Sequence, residues 1–123
     1  MRGGAWPIAF SVALAPVAVG AADTSLTRAV AGRTAGAPRQ CIRPDLHVQP
    51  EVVDGQAIVY RDARTTYVAR FKGGCPQLRS GRIVVATGVG GQLCRNDPVR
   101  VVEPTGAGFG FCTFESFTPY DRP

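Results

Sequence analysis

The sequence predicts an all-β domain, a small antiparallel barrel or sandwich of about five to six short strands stapled by two disulfides. Short β-branched and aromatic segments alternate with turn residues, and the chain holds 15 Gly and 10 Pro. It also holds 4 cysteines, an even number. No segment has a convincing helical periodicity, so sheet is the expected architecture.

The N-terminus has the layout of a secretory signal peptide over residues 1–22. Met1–Arg2 gives a positive start, Ile8–Val19 is apolar, and Gly20–Ala22 supplies small residues for cleavage. A buried N-terminal helix is the alternative. The apolar run is too short to cross a bilayer as a helix, and we expect no membrane span in the mature chain. The expected location is therefore periplasmic or secreted.

Residues 23–38 follow as a predicted flexible linker. Their Thr, Ala, Gly and Arg content offers little apolar surface to bury. A short helix through Leu26–Ala31 is the competing interpretation. The folded β domain is expected to cover residues 39–123.

Export favours disulfides for Cys41, Cys75, Cys94 and Cys112. Their wide spacing matches neither a Cys-x-x-Cys redox motif nor a zinc-finger pattern. Four cysteines allow three connectivities, and spacing does not choose among them.

The strands are predicted from period-two patterns and turn signals. Asp54–Gly55 is a hairpin turn, and Tyr67, Ala69 and Phe71 are expected on one face of their strand. The continuous apolar run before Thr87 predicts a buried strand. In order, the extended segments are Cys41–Ile42, Val52–Val53, Gln56–Tyr60, Thr65–Phe71, Arg82–Ala86, Leu93–Cys94, Val99–Glu103 and Phe109–Phe114, followed by a turn-like tail at Ser116–Pro123.

A net charge of +5 is spread along the chain without a run of like charges, so we expect no nucleic-acid partner. Arginines interleave with aromatic residues in one region, which predicts a binding surface or a base-stacking platform. The platform is disfavoured because a core this small needs its aromatic rings. The predicted surface consists of Arg61, Arg64, Tyr67, Arg70 and Lys72.

No pattern predicts catalysis, a metal site or a cofactor. His47 is the only histidine, and Asp45 lies two residues before it. A general base or weak metal ligand at this position is one hypothesis; a solvated histidine is the favoured one. The glycines of 88–91 and 106–110 match no nucleotide-binding motif and are expected in turns.

The order of features along the chain is Arg39-x-Cys41-Ile42, an Asp-containing turn, Ile58-Val59-Tyr60, Tyr67, Cys75-Pro76-x-Leu78, Leu93-Cys94-x-x-Asp97 and Cys112. Together these features resemble those of a family of small exported bacterial proteins, the domain-of-unknown-function family 6491. The resemblance implies a secreted or periplasmic protein of unassigned function, with Cys75 paired to Cys94 and Cys41 paired to Cys112. It carries no catalytic residues to transfer, and Gly55 stands where the family has a second polar turn residue.

The expected function is that of a non-enzymatic binding or accessory module of the cell envelope, contacting a protein or an anionic polymer. The alternative is a small secreted enzyme inhibitor that presents the loop Thr87–Gln92, since disulfide-held β scaffolds hold loops rigidly. An enzyme would need free cysteines or a cleft that joins His47 to a carboxylate.

Overall fold

The computed structural model describes residues 3–5, 7–14, 21–45, 47–86, 88–106 and 108–123, with the backbone alone for residues 21–24 and 109. Strands dominate this part of the chain. Its elements are α1 (Ala21–Ala29), β1 (Thr34–Ala35), β2 (Cys41–Ile42), β3 (Glu51–Val53), β4 (Ala57–Asp62), β5 (Thr65–Phe71), β6 (Ile83–Ala86), β7 (Leu93–Cys94), β8 (Pro98–Val102) and β9 (Phe109–Asp121).

The strands form a curled antiparallel sheet, which confirms the expected all-β fold. The order in the sheet is β3-β4-β5-β9-β8-β6, with β1 added beside β9. The separate pair β2-β7 makes a second, two-stranded sheet. The curl brings β3 and β6 to the two ends of an incompletely closed barrel. The described residues hold more strands than the expected five or six, because several have only two or three residues.

Strand β9 joins the two halves of the sheet. It spans 13 residues, so the tail predicted as turn-like is instead strand. Its later half pairs with β5, and its earlier half pairs with β8. On the side away from β5, Gly36 N–H donates to the Pro119 carbonyl at 2.7 Å. Pro119 is tolerated because its missing N–H faces this irregular edge.

The main core fills the concave side of the sheet. Alternation along β5 directs Tyr67, Ala69 and Phe71 inward, as predicted. Phe114 lies at the centre, with its ring centroid 5.1 Å from Phe71 and 4.9 Å from Phe117. Most of the aromatic rings that the sequence analysis assigned to the core therefore lie in it.

The segment expected as a flexible linker differs from that prediction. It contains the later part of α1 and the strand β1, which pairs with β9. Leu26, Ala29 and Val30 pack against a second cluster on the outer face of β4 and β5, which includes Val59 and Val68. Tyr120 of β9 packs against the same cluster, so this face is covered from both segments.

The disulfides join Cys41 to Cys94 and Cys75 to Cys112. The pairing implied by the resemblance is therefore wrong. Cys41 and Cys94 lie directly opposite each other in the β2-β7 pair. After β5 the chain continues beside β9, where Lys72 N–H donates to the Thr113 carbonyl at 2.9 Å, and this places Cys75 next to Cys112. The four cysteines are all oxidised, as expected.

Strand β6 is an edge strand rather than the buried strand predicted from its apolar run. Val84 and Ala86 pack against the core, whereas Ile83 and Val85 are 50% and 38% exposed on the outer face. A continuous apolar run does not distinguish a buried strand from an edge strand with one exposed face.

The predicted signal peptide lies partly outside the described residues, which omit 1–2, 6 and 15–20. Residues 7–14 have no helix or strand, and Ile8, Phe10, Val12 and Leu14 are exposed. Helix α1 begins at Ala21, beside the predicted cleavage point. Among the described residues, no helix has the length and hydrophobicity needed to cross a membrane.

Candidate functional site

The predicted binding surface is divided among different parts of the fold. Tyr67 is only 7% exposed and faces the core. The Arg39 guanidinium lies 5.7 Å from its ring centroid and donates to its hydroxyl at 3.4 Å. Tyr67 is therefore a core residue with one partly buried polar contact, and it presents little surface to a ligand.

The four basic residues of that predicted surface are also dispersed. Arg61 pairs with Glu51 at 3.1 Å, across β4 and β3. Arg64 occupies the turn between β4 and β5, and Arg70 is exposed on the opposite side of β5 from Tyr67. Lys72 lies beyond the end of β5 and hydrogen-bonds the Asn96 side chain. These side chains do not converge on one site.

His47 lies in an exposed turn organised by Asp45. The Asp45 carboxylate accepts the His47 backbone N–H at 2.9 Å, and the Asp45 carbonyl accepts the Val48 N–H at 3.2 Å. The carboxylate is therefore committed to the backbone. Within the described ranges, no three His, Cys, Asp or Glu side chains are grouped so that they could hold a metal ion.

The glycine-rich loop before β7 is a compact turn; its first predicted residue, Thr87, lies outside the described residues. Gln92 N–H donates to the Val89 carbonyl at 3.2 Å, and Arg43 donates to the Gly90 carbonyl at 3.1 Å. A Cβ at Gly88 would lie 1.9 Å from the Gln92 carbonyl oxygen, so only glycine allows this approach. The turn leaves the Val89 side chain 91% exposed.

A cleft lies where the barrel is left open, between β3 and β6. Its volume is about 480 Å³, within the range of ligand-binding clefts in proteins. β3 and β4 supply one wall, β6 supplies the other, and β7 contributes to the floor. Its apolar lining includes Pro50, Val52, Ile58, Tyr60, Val84 and Leu93.

Tyr60 brings a polar group to this apolar lining. The residue is 6% exposed, and burial holds the pKa of its phenol well above the ordinary value of about 10. Its hydroxyl has no hydrogen-bond partner among the described side chains and backbone groups. It therefore remains a neutral donor and acceptor at the cleft wall.

Arg82 supplies the charge at the edge of the cleft. Its Nε lies 2.8 Å from a Glu103 carboxylate oxygen, and Nη1 donates to the Gln77 carbonyl at 2.7 Å. The guanidinium is consequently held in place and partly neutralised. The cleft is therefore mainly apolar, with a balanced charge at one edge.

A bulge before β8, the neighbour of β6, determines which residues of β8 form hydrogen bonds with β9. Asn96 has a φ of 74°, and its N–H donates to the Phe114 carbonyl at 2.9 Å. Phe114 N–H in turn donates to the Asp97 carbonyl at 3.1 Å. Asp97 and Phe114 are therefore bonded to each other, and the alternation along β8 can be counted from them.

This count identifies the free backbone groups of β6. Hydrogen-bonded and non-bonded positions alternate along an antiparallel pair. With the observed registers, Ile83 and Val85 exchange hydrogen bonds with β8. The N–H and C=O groups of Val84 and Ala86 therefore point away from β8, toward the open side of the sheet.

The opposite edge of the sheet, at β3, also has outward backbone groups. Phe117 and Arg39 exchange backbone hydrogen bonds of 3.1 and 2.7 Å. The backbone groups of Phe117 therefore point away from β5, and those of its neighbours in β9 alternate from there. Counting across β5 and β4 directs the backbone groups of Glu51 and Val53 toward β4. The N–H and C=O of Val52 are left facing outward. Both walls of the cleft are thus sheet edges, and their outward backbone groups have no partner among the described residues.

Sequence reasoning did not single out the cleft residues. The available signal was the alternation that places Ile58 with Tyr60, and Val84 with Ala86, on the same side of their strands. That pattern does not reveal that the two strands end the sheet. Compared with known proteins, the chain matches no protein-family model, no curated protein and no solved structure.

Proposed function

We propose that this chain is an exported, non-enzymatic binding module of the cell envelope, and that its ligand occupies the cleft between β3 and β6. The cleft carries the proposal. It has a volume of about 480 Å³ and a mainly apolar lining, and the hydroxyl of Tyr60 has no partner among the described residues. Ligand sites commonly have this composition: apolar walls with a few polar groups that orient the ligand.

Two further observations support export. Residues 1–22 have the charged, apolar and small-residue order of a secretory leader. The two disulfides, Cys41–Cys94 and Cys75–Cys112, are typical of oxidising compartments. Together they favour a periplasmic or secreted location.

The experiment is site-specific photo-crosslinking in a bacterium that expresses the chain with its own leader. A photoreactive amino acid replaces Ile83, which is exposed beside the cleft, or Glu115, an exposed control on β9. We expect a discrete cross-linked product in the envelope fraction from position 83 and none from position 115. Intact-mass analysis should find a processed chain beginning near Asp23. A cytoplasmic chain with Met1 intact, or identical products at both positions, would contradict the proposal.

Enzyme inhibition is the second candidate function, favoured by the exposed Val89 at the tip of a fixed turn. A rigid loop with an apolar tip is suited to entering a target's cleft. Inhibition of an exported protease by the wild type, lost in Val89→Asp and retained in the control Val48→Asp, would support it. Equal inhibition by the two variants would contradict it.

A further inference from the structure

Within the described part of the chain, no covering segment blocks the edge of β6 against strand pairing. Sheet edges are commonly blocked by charged residues, by proline or by a covering segment. None of the residues Ile83–Ala86 is charged or a proline. The outward backbone groups of Val84 and Ala86 accept no hydrogen bond and donate none within the described part of the chain. This edge can therefore accept another strand.

The opposite wall of the cleft offers a second set of backbone groups. Val52 directs its N–H and C=O outward from β3, and its side chain packs against the same core as Val84 and Ala86. A strand lying in the cleft would find hydrogen-bonding groups along both walls. Every second side chain of that strand would meet the apolar lining around Ile58 and Tyr60.

We propose that the cleft binds one extended peptide segment of a partner protein, with apolar side chains at alternate positions, which continues the sheet from β6. The inference rests on the proposed binding function. Main-chain hydrogen bonds supply affinity in this mode of recognition, and the pockets for alternate side chains supply selectivity.

The unpaired backbone groups favour a peptide over a lipid chain. An acyl chain would cover the apolar lining around Ile58, but it would also bury the N–H and C=O groups of Val52, Val84 and Ala86 without partners. Each such group costs about 1–3 kcal/mol when it is buried unpaired. A peptide backbone satisfies the same groups, so the two ligands are distinguished by their hydrogen bonds.

The test uses a fluorescein-labelled heptapeptide of alternating threonine and valine, titrated with the purified, disulfide-bonded protein. The control is the same peptide with alternate backbone nitrogens methylated, which keeps the side chains and removes strand pairing. We expect saturable binding by fluorescence anisotropy and at least a tenfold weaker Kd for the methylated peptide. Equal affinity for the two peptides, displacement by dodecanoate, or no binding at 1 mM peptide (a concentration on the order of the weakest specific affinities) would overturn the inference.

Two adjacent substitutions give a matched pair on the protein. Val84→Lys places an ammonium group on the cleft side of β6, and Val85→Lys places the same charge on the outer face. We expect Val84→Lys to weaken peptide binding at least tenfold and Val85→Lys to change it less than twofold. Equal effects would overturn the inference, and if Val84→Lys fails to fold, the comparison of the two peptides decides.

Analytical ultracentrifugation of the protein without peptide tests whether a second copy of the chain occupies this edge. A dimer that Val84→Lys dissociates would assign the β6 edge to a second copy and overturn the inference. The results also separate this inference from the proposed function. A cross-link at position 83 without heptapeptide binding leaves the binding module standing. Heptapeptide binding by a chain that stays in the cytoplasm keeps the strand site and contradicts export.

Discussion

Removal of one disulfide tests the observed connectivity directly. The double variant Cys75→Ala/Cys112→Ala opens a loop with a sequence separation of 37 residues. In the chain-entropy model a loop of this length contributes about 4 kcal/mol to the free energy of unfolding. For roughly 100 folded residues this corresponds to a fall of about 20 °C in Tm. Because Cys41 and Cys94 remain bonded, we expect the purified variant to contain no free thiol.

The control variant replaces one cysteine of each disulfide with alanine. Cys75→Ala/Cys94→Ala removes the same number of sulfur atoms but leaves Cys41 and Cys112 without their observed partners. We expect two free thiols by reaction with a thiol reagent under denaturing conditions, and a larger loss of Tm. Two free thiols in Cys75→Ala/Cys112→Ala, and none in the control, would refute the connectivity and restore the pairing implied by the family resemblance.

Three further predictions concern the helix, the bulge and the buried phenol. Leu26→Ala should lower the free energy of unfolding by about 1 kcal/mol in urea titrations, because it removes half-buried contacts of α1, whereas exposed Arg28→Ala should change it by less than about 0.5. Asn96→Gly should be nearly neutral and Asn96→Val should cost about 1–2 kcal/mol, because the position has a φ of 74°; equal effects on Tm would contradict the bulge. The pKa of the Tyr60 phenol is higher in the folded state than in the unfolded state, so the phenol contributes its full stabilisation below about pH 10 and loses it at higher pH. Above about pH 10 the free energy of unfolding of the wild type should therefore fall by about 1.4 kcal/mol per pH unit relative to that of Tyr60→Phe. Parallel pH profiles of the two proteins would rule out the buried neutral phenol.

The hairpins and the core were predictable because their signals are local. Asp54–Gly55 forms a turn with Gly55 at a φ of 73°, and β4 follows it at Ala57. The alternation of Tyr67, Ala69 and Phe71 identified the inward face of β5. Such patterns depend on residues close in sequence, and the curled sheet follows them.

Long-range relationships were not predictable from the same patterns. The cysteine partners depend on which strands become neighbours, and spacing leaves all three connectivities open. The tail Ser116–Pro123 was predicted as turn-like, whereas most of it is strand. The sequence does not show that Pro119 faces an irregular edge of β9, where a missing N–H is tolerated. The cleft escaped detection for a related reason: Val52 and Val84 line it only because β3 and β6 terminate the sheet.

The length of β9 sets the order in which this domain can fold. β5, β8 and β1 all pair with it, so both halves of the sheet depend on a strand that is synthesised after all of them. The chain loses conformational entropy when it closes the long loops between these strands, and this loss precedes the contacts that compensate for it. Folding is therefore slow. Cys112 lies in the same strand, so its bond to Cys75 also waits for that segment. A nascent chain that still lacks β9 therefore cannot form the complete sheet.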